Sequence, residues 1–298
     1  MPLFNTDISF PGFGLSFDPS GTAFVLFGFH FYWYGIIIAI GFLLAAVYAI
    51  KRAPAFGLTG DHIIDGMFVA VPLALICSRL YYVVFNFELF HGNPGRIFSF
   101  RGGGLALYGG VIGAVLGAWL YGRYKRVRLS VLLDVAAPAL FIGQAIGRWG
   151  NFVNREAYGV PTDAPWRMEV YSLELGRRVL AHPTFLYESL WCALGFALLH
   201  FFASRRKFRG ELFLMYTVWY GLGRAYIEGL RTDALFFLNT QLRVSQALAL
   251  ISLILAAIAI FYVRVFKELE EDELDDVFLP IIVYQDDEDT DDSKEDKD

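Results

Sequence analysis

The chain has 298 residues, of which 56% are hydrophobic and 18% charged, and its mean hydropathy is +0.47. This composition excludes an ordinary soluble domain of the same length and predicts a membrane protein. The net charge of −5 hides an asymmetry, because residues 268–298 hold 16 of the 30 acidic residues and only two lysines, which leaves a net charge of +9 on the rest of the chain.

Seven apolar windows recur along the chain, each of about 18–25 residues and so long enough to cross a hydrocarbon core of roughly 30 Å. Their lack of alternating hydrophobicity favours helices over barrel strands, because backbone polar groups in lipid must be paired within a helix or a closed barrel. We therefore predict an all-α polytopic membrane protein of seven transmembrane helices. The predicted spans are 30–50, 62–86, 104–122, 131–147, 186–203, 211–229 and 245–263.

The basic residues next to these spans fall at alternate span ends, which predicts the orientation, since positively charged short loops stay in the cytoplasm. They are Lys51, Arg52, Arg123, Lys125, Arg126, Arg128, Arg205, Arg206, Lys207, Arg209, Arg264 and Lys267. The N-terminus is expected outside and the C-terminus in the cytoplasm.

Two segments stand apart from the seven-helix domain, which we place at 1–267. Residues 149–185 form a long outer segment between spans four and five, and a loop of this length usually has structure or function of its own. We predict a small periplasmic head there, with room for a hairpin. Residues 268–298 are dominated by Asp and Glu and are expected to form a disordered cytoplasmic tail.

The outer end of the fourth span carries the sequence GRWGNFVNREAYG at residues 147–159. An arginine offers a planar fork of donors to phosphate oxygens, asparagines supply donors and acceptors, and glycines let the backbone approach a ligand. This motif favours a phosphate-bearing ligand. Its candidate site residues are Arg148, Asn151, Asn154, Glu156 and Gly159.

Arg224, Glu228 and Arg231 share one face near the outer end of the sixth span, at i, i+4 and i+7. Ionisable residues at membrane depth are costly and mark functional sites by default. The structural alternative is an Arg–Glu ion pair with Arg231 reaching toward the interface.

Three further polar residues, Tyr34, Tyr108 and His182, fall in the outer half, where each taken alone fits an interfacial anchor better than a catalytic group. Cys77 and Cys192 lie in predicted spans, which excludes a disulfide framework. The histidines show no metal-ligand spacing, and neither HExxH nor GxSxG occurs. We expect no metal, no cofactor and no nucleic acid among the ligands.

Around residues 147–159 the chain closely resembles the signature of the prolipoprotein diacylglyceryl transferases, and the likeness covers nearly all of residues 25–265. It includes the Trp33-Tyr34-Gly35 motif, the glycine-rich start of the third span, and the stretch from His182 to Glu188. The resemblance implies that a lipobox cysteine thiol of an exported precursor attacks the glyceryl carbon of phosphatidylglycerol, releasing glycerol phosphate and leaving a thioether. The implied partners are phosphatidylglycerol, prolipoproteins and the bilayer of the bacterial inner membrane.

The resemblance also implies roles for the candidate residues. Arg148 and Arg224 would stabilise the leaving phosphate, Glu228 would hold Arg224, and Tyr34 would line the site. Gly159 would permit a tight turn. The remaining members would bind or orient the substrates: Asn151, Asn154, Glu156, Arg231 and His182. Tyr108 stands where some members carry a histidine, and we expect it to orient the thiol or a head-group oxygen, since tyrosine is a poor base beside histidine.

A transporter or channel for an anionic lipid or solute is the alternative, because it would also place arginines in a membrane cavity. Transport needs access from both faces, yet the predicted inner half carries no matching cluster of ionisable residues. A purely structural protein would not need charges inside spans four and six.

Overall fold

The protein is described here by a computed structural model. The residues that the structure describes are 8–19, 21–90, 94–98, 103–172, 175–232 and 243–266. The predicted acidic tail at 268–298 lies outside them.

Seven long helices make up most of the described chain. They are α1 Trp33–Arg52, α2 Gly60–Phe85, α3 Leu107–Lys125, α4 Leu129–Asn154, α5 Thr184–Phe202, α6 Glu211–Leu230 and α7 Val244–Phe266. Five of them, α1, α2, α4, α5 and α7, are long and apolar enough to cross a membrane. The other two are less apolar, because α3 is rich in glycine and tyrosine and α6 carries three ionisable residues. That all seven cross the membrane stays a prediction.

The helix ends refine the predicted spans at one functionally important place. Span four was predicted to end at residue 147, but α4 continues to Asn154. The motif at 147–159 therefore begins inside the helix, and residues 149–154 belong to its last turns rather than to the head. At the start of the chain, residues 29–32 form a strand, and α1 begins only at Trp33.

Helix α4 is central: it packs along α1 and α5 and also contacts α6, while α2 pairs with α3 and α6 with α7. The main apolar core fills the inner part of this bundle and includes Val135, Phe141 and Leu212, all fully buried. Asp134, also buried, accepts hydrogen bonds from the backbone N–H of Gly210 (2.7 Å) and Phe213 (3.0 Å). This carboxylate caps the first turn of α6 and fixes it against α4.

A glycine stripe on α3 sets its distance from α2. A Cβ atom at Gly109 would lie 2.4 Å from the carbonyl oxygen of Cys77, and one at Gly113 would lie 2.3 Å from that of Leu73. Only the absence of a side chain permits this backbone approach, as in other small-residue helix contacts within membranes.

Two sheets occur where the sequence predicted an all-α fold with room for a single hairpin. The strands are β1 Ile8–Phe10, β2 Leu15–Phe17, β3 Thr22–Leu26, β4 Phe29–Tyr32, β5 Met168–Ser172 and β6 Arg177–Ala181. Strands β5 and β6 pair antiparallel within the head segment, and β1 joins them through Ser9 opposite Glu169, giving the order β2-β1-β5-β6. Strands β3 and β4 form a separate hairpin. Such short strands leave no periodicity in the sequence, and β1 and β5 are about 160 residues apart.

Candidate active site

The side chain of Glu188 lies at the centre of a cluster of arginines. Glu188 is buried in the first turns of α5. Its Oε2 is 2.5 Å from Nη2 of Arg148 and 3.7 Å from Nη1 of Arg224, and its Oε1 accepts a hydrogen bond of 3.1 Å from Nη1 of Arg231. One carboxylate thus joins three guanidinium groups from α4, α6 and the end of α6.

A second buried carboxylate, Glu228, supports the cluster from one turn further along α6. Its Oε2 is 2.8 Å from Nη2 of Arg224, four residues earlier on the same helix. The two groups form an ion pair, but their orientation does not meet the geometry of a hydrogen bond. The backbone carbonyl of Glu228 accepts a hydrogen bond from Arg243, just before α7. The predicted Arg224, Glu228 and Arg231 face is therefore built into a network across three helices.

The balance of charge in this cluster favours an anion. Three guanidinium groups against two carboxylates leave a net charge of +1. The side chains of Arg148 and Arg224 remain 21% and 17% exposed, whereas that of Arg231 is 11% exposed. Arg148 and Arg224 are therefore the groups best able to offer donors to a phosphate, while Arg231 is the most buried of the three.

The polar residues of the 147–159 motif form a second network beside Arg148. Nη1 of Arg148 lies 3.5 Å from Oδ1 of Asn151, and the Asn151 amide donates to Oε1 of Glu156 at 2.8 Å. Asn154 donates to the same oxygen at 3.4 Å. Because Asn151 and Asn154 lie on the last turn of α4 and Glu156 follows it, this network closes the helix end around Arg148.

Tyr34 lies against the same part of α4. Its ring is so close to Gly150 that a Cβ atom there would be 2.8 Å from Cδ2 of Tyr34. The tyrosine is 38% exposed, at the start of α1. It therefore forms a wall beside the backbone that carries Arg148 and Asn151.

Gly159 was predicted to permit a tight turn, and the structure shows a different need for glycine at this position. The φ angle of Gly159 is not in the left-handed region, whereas those of Arg155 and Ala157 are, at 57° each. Gly159 instead lies where three chain segments cross, and a Cβ atom would be 2.7 Å from Cβ of His182 and 3.0 Å from the carbonyl oxygen of Leu230. Close packing requires the glycine.

This crossing ties the motif to the two other predicted site segments. The Gly159 N–H donates to the carbonyl of His182 at 2.9 Å, and Gly159 also forms a β-bridge with Arg231. The His182 ring lies 3.0 Å from the hydroxyl of Tyr187, which accepts a hydrogen bond of 2.6 Å from Trp166. Among its described contacts, His182 has none with the arginines, so its backbone rather than its ring connects it to the cluster.

Tyr108 is the predicted site residue that the described contacts leave apart from the cluster. It lies near the start of α3, where its hydroxyl is 3.4 Å from that of Ser245 on α7. The start of α7 in turn contacts α6, where Gln246 donates to the carbonyl of Ala225 at 2.7 Å. Tyr108 is therefore linked to α6, which carries Arg224, through Ser245 and Gln246 at the start of α7.

An apolar cavity of about 250 Å³ is lined in part by Trp149, the neighbour of Arg148 in the chain. It is formed where the β1–β2 hairpin meets the ends of α4 and α5. All of its lining residues are apolar: Phe10, Phe13, Leu15, Phe17, Trp149, Phe152, Phe185 and Leu186.

The sequence-based site omitted Glu188, although a signal for it was present. An acidic residue four positions after the start of an apolar helix is a functional candidate for the same reason as Arg224 and Glu228. What the sequence could not reveal is that three distant arginines converge on it. Within the described ranges, no group of three or more His, Cys, Asp or Glu side chains could hold a metal ion.

Comparison with known proteins identifies relatives of the chain. Residues 22–262 match the family model described as prolipoprotein diacylglyceryl transferase. Proteins named phosphatidylglycerol–prolipoprotein diacylglyceryl transferase are similar to it in several bacteria. The one from Clostridioides difficile is 42% identical over 80% of this chain and 94% of its own length. Those from Finegoldia magna and Bacillus licheniformis are 44% and 42% identical, over 79% and 80% of this chain and 92% and 90% of their own lengths.

Proposed function

The chain belongs to the prolipoprotein diacylglyceryl transferase family, and on that premise we propose that it moves the diacylglyceryl group of phosphatidylglycerol to the lipobox cysteine of a prolipoprotein. The cysteine sulfur forms a bond to the terminal glyceryl carbon, and the bond from that carbon to the phosphate oxygen breaks. The thiol proton passes to water or to the leaving phosphate, and glycerol phosphate leaves. The thioether product is the first intermediate of lipoprotein maturation.

The observation that carries this proposal is the convergence of Arg148 and Arg224 on Glu188. Breaking the carbon–oxygen bond turns a singly charged phosphodiester into a more highly charged phosphomonoester. A fixed positive site that binds this developing charge stabilises the transition state more than the ground state. The two partly exposed arginines, held in place by buried carboxylates, meet this need without reorganising.

The other residues of the site support these arginines. Asn151, Asn154 and Glu156 orient the head group or Arg148, and Tyr34 lines the pocket beside them. Glu228 holds Arg224, Arg231 and Glu188 position the cluster, and the substrate supplies the nucleophile. Cys77 and Cys192 therefore need no catalytic role. The proposal requires no metal or cofactor.

Tyr108 acts on the other substrate. Its exposed ring at the start of α3 and its hydroxyl beside Ser245 on α7 suit a group that orients the incoming thiol. The arginine cluster lowers the free energy of a nearby thiolate and so assists the loss of the thiol proton.

The proposed arrangement in the membrane rests on how the helices pack against each other. We propose that all seven helices cross the inner membrane, because α3 and α6 are packed along α2 and α7, two of the apolar spans. The cluster and the β2-β1-β5-β6 sheet then lie at the periplasmic end, with residues 155–185 contributing a periplasmic head. The N-terminus is outside, and residues 268–298 form a cytoplasmic tail.

The proposal is tested with purified protein, phosphatidylglycerol vesicles and a lipobox peptide, by mass spectrometry of the peptide. A diacylglyceryl adduct that requires both Arg148 and the peptide thiol is expected, with Arg148→Ala protein and a Cys→Ser peptide as the two controls. Movement of lipid or solute across sealed vesicles, with no adduct from any peptide, would instead support the transport alternative.

A further inference from the structure

The β3–β4 hairpin, residues 22–32, has two chemically different faces. Its antiparallel register places Phe24 opposite Phe31 and Leu26 opposite Phe29. Because side chains alternate across a strand, these four share one face, and the rings of Phe24 and Phe31 stack at 4.6 Å. The opposite face pairs Val25 with His30 and also carries Tyr32, whose ring stacks on that of His30 at 6.5 Å, so it combines apolar and polar groups.

The apolar face is only partly covered by the rest of the chain. Its four side chains are between 41% and 58% exposed, and Phe27 at the turn is 90% exposed. Soluble proteins rarely leave a contiguous aromatic patch of this kind in water, and such a patch marks a binding surface for protein or lipid.

The place of the hairpin in the chain favours lipid. Strand β4 ends at Tyr32 and α1, an apolar span, begins at Trp33 without a linker. The Trp33 N–H donates to the carbonyl of Gly21 at 3.1 Å, which closes the base of the hairpin onto the helix. A five-residue strand rises only about 17 Å, so the whole hairpin stays within that distance of the end of the span.

The depth to which the β3–β4 hairpin can enter the membrane is limited by its backbone. A two-stranded hairpin has unpaired N–H and C=O groups along both outer edges, and these cannot enter the hydrocarbon core. The boundary between head groups and acyl chains satisfies both requirements, since it accepts apolar side chains while water still reaches the backbone.

We propose that the β3–β4 hairpin is an interfacial anchor, which lays its apolar face and Phe27 into the leaflet at the outer end of α1 and turns the Val25 and His30 face toward water. The partner is the lipid surface. This proposal depends on α1 being a membrane span and is independent of the transferase reaction.

The test compares neighbouring positions on opposite faces. Cys77 and Cys192 are replaced by alanine, and a nitroxide label is attached to Phe29→Cys or to His30→Cys in the full-length protein. Both residues are exposed on the same strand, so one serves as the matched control of the other. In phosphatidylglycerol vesicles, collision with oxygen and with a water-soluble nickel chelate is measured at each label.

We expect the label at position 29 to show a several-fold higher ratio of oxygen to nickel accessibility than the label at position 30, with a label at Phe27→Cys resembling position 29. Equal ratios typical of water at positions 27 and 29 would overturn the proposal. Dipolar broadening at position 29 that disappears on dilution with unlabelled protein would show that a second copy covers the face. Shielding that appears only with added lipobox peptide would assign it to the precursor. Thermal unfolding of each labelled protein confirms that it is folded.

Discussion

The carboxylate of Glu188 and the guanidinium group of Arg148 lie 2.5 Å apart, although the two residues belong to different helices and are 40 positions apart in the chain. The same carboxylate also contacts Arg224 and Arg231. Each arginine therefore has its position defined by one shared partner, so that loss of this partner disturbs all three, whereas loss of one arginine leaves the others paired.

Replacing Glu188 by glutamine is expected to reduce kcat/KM by about 10²-fold, because a displacement of the phosphate-binding groups by roughly 1 Å can cost that much. The measurement is the rate of diacylglyceryl transfer to the peptide. Glu169→Gln is the matched control, since Glu169 forms an ion pair with Arg178 in the sheet. Equal losses in both variants would mean that Glu188 serves stability alone.

The variants Arg148→Lys and Arg224→Lys distinguish the contribution of the planar guanidinium donors from that of the positive charge. Lysine keeps the positive charge but loses the planar pair of N–H groups. Each variant is expected to lower kcat by about 10²- to 10³-fold, as when one donor to a developing anion is removed. Arg178→Lys on the sheet provides the control. Unchanged kcat with a raised KM would show that the arginine binds the ground state and the transition state equally.

The sequence was a good guide to the elements whose signals are local. Five apolar helices follow from apolar length, and the pairing of Arg224 with Glu228 follows from helical spacing within one segment. It was a poor guide where partners are distant in the chain. Nothing near Ser9 indicates that it lies opposite Glu169, and nothing near Glu188 indicates three arginines around it. Such contacts depend on how helices pack, which a single segment does not encode.

Gly159→Ala tests the crossing of the three segments. Its Cβ would lie 2.7 Å from Cβ of His182, so one segment must move, and we expect a destabilisation of about 1–3 kcal/mol. Transfer activity should fall further than stability alone explains, because Gly159 is bridged to Arg231. Gly229→Ala is the control, since no atom lies within 4 Å of its added Cβ. Thermal unfolding and transfer rate are measured together, and equal effects in the two variants would contradict the packing argument.

Tyr108→Phe removes the hydroxyl that lies 3.4 Å from Ser245 on α7. A hydrogen bond with a net value of about 1 kcal/mol corresponds to roughly a fivefold fall in kcat. Ser245→Ala distinguishes the roles, because it leaves the Tyr108 hydroxyl in place and removes only its contact with α7. A fall in Tyr108→Phe alone fits a hydroxyl that orients the thiol. Equal falls would show that it ties α3 to α7, and no change in either would remove Tyr108 from the mechanism.

The glycines of α3 allow a comparison within a single helix. Gly113→Ala would bring a Cβ atom to 2.3 Å from the carbonyl oxygen of Leu73, whereas the nearest atom to a Cβ at Gly110 is 3.8 Å away. We expect Gly113→Ala to lower the unfolding temperature in detergent and Gly110→Ala to leave it unchanged or raise it, since alanine favours the helix by up to about 1 kcal/mol over glycine. Separation of α3 from α2 would also shift Tyr108. A fall in activity should therefore accompany the loss of stability in Gly113→Ala, and identical behaviour of the two variants would mean that the α2–α3 contact is looser than these distances require.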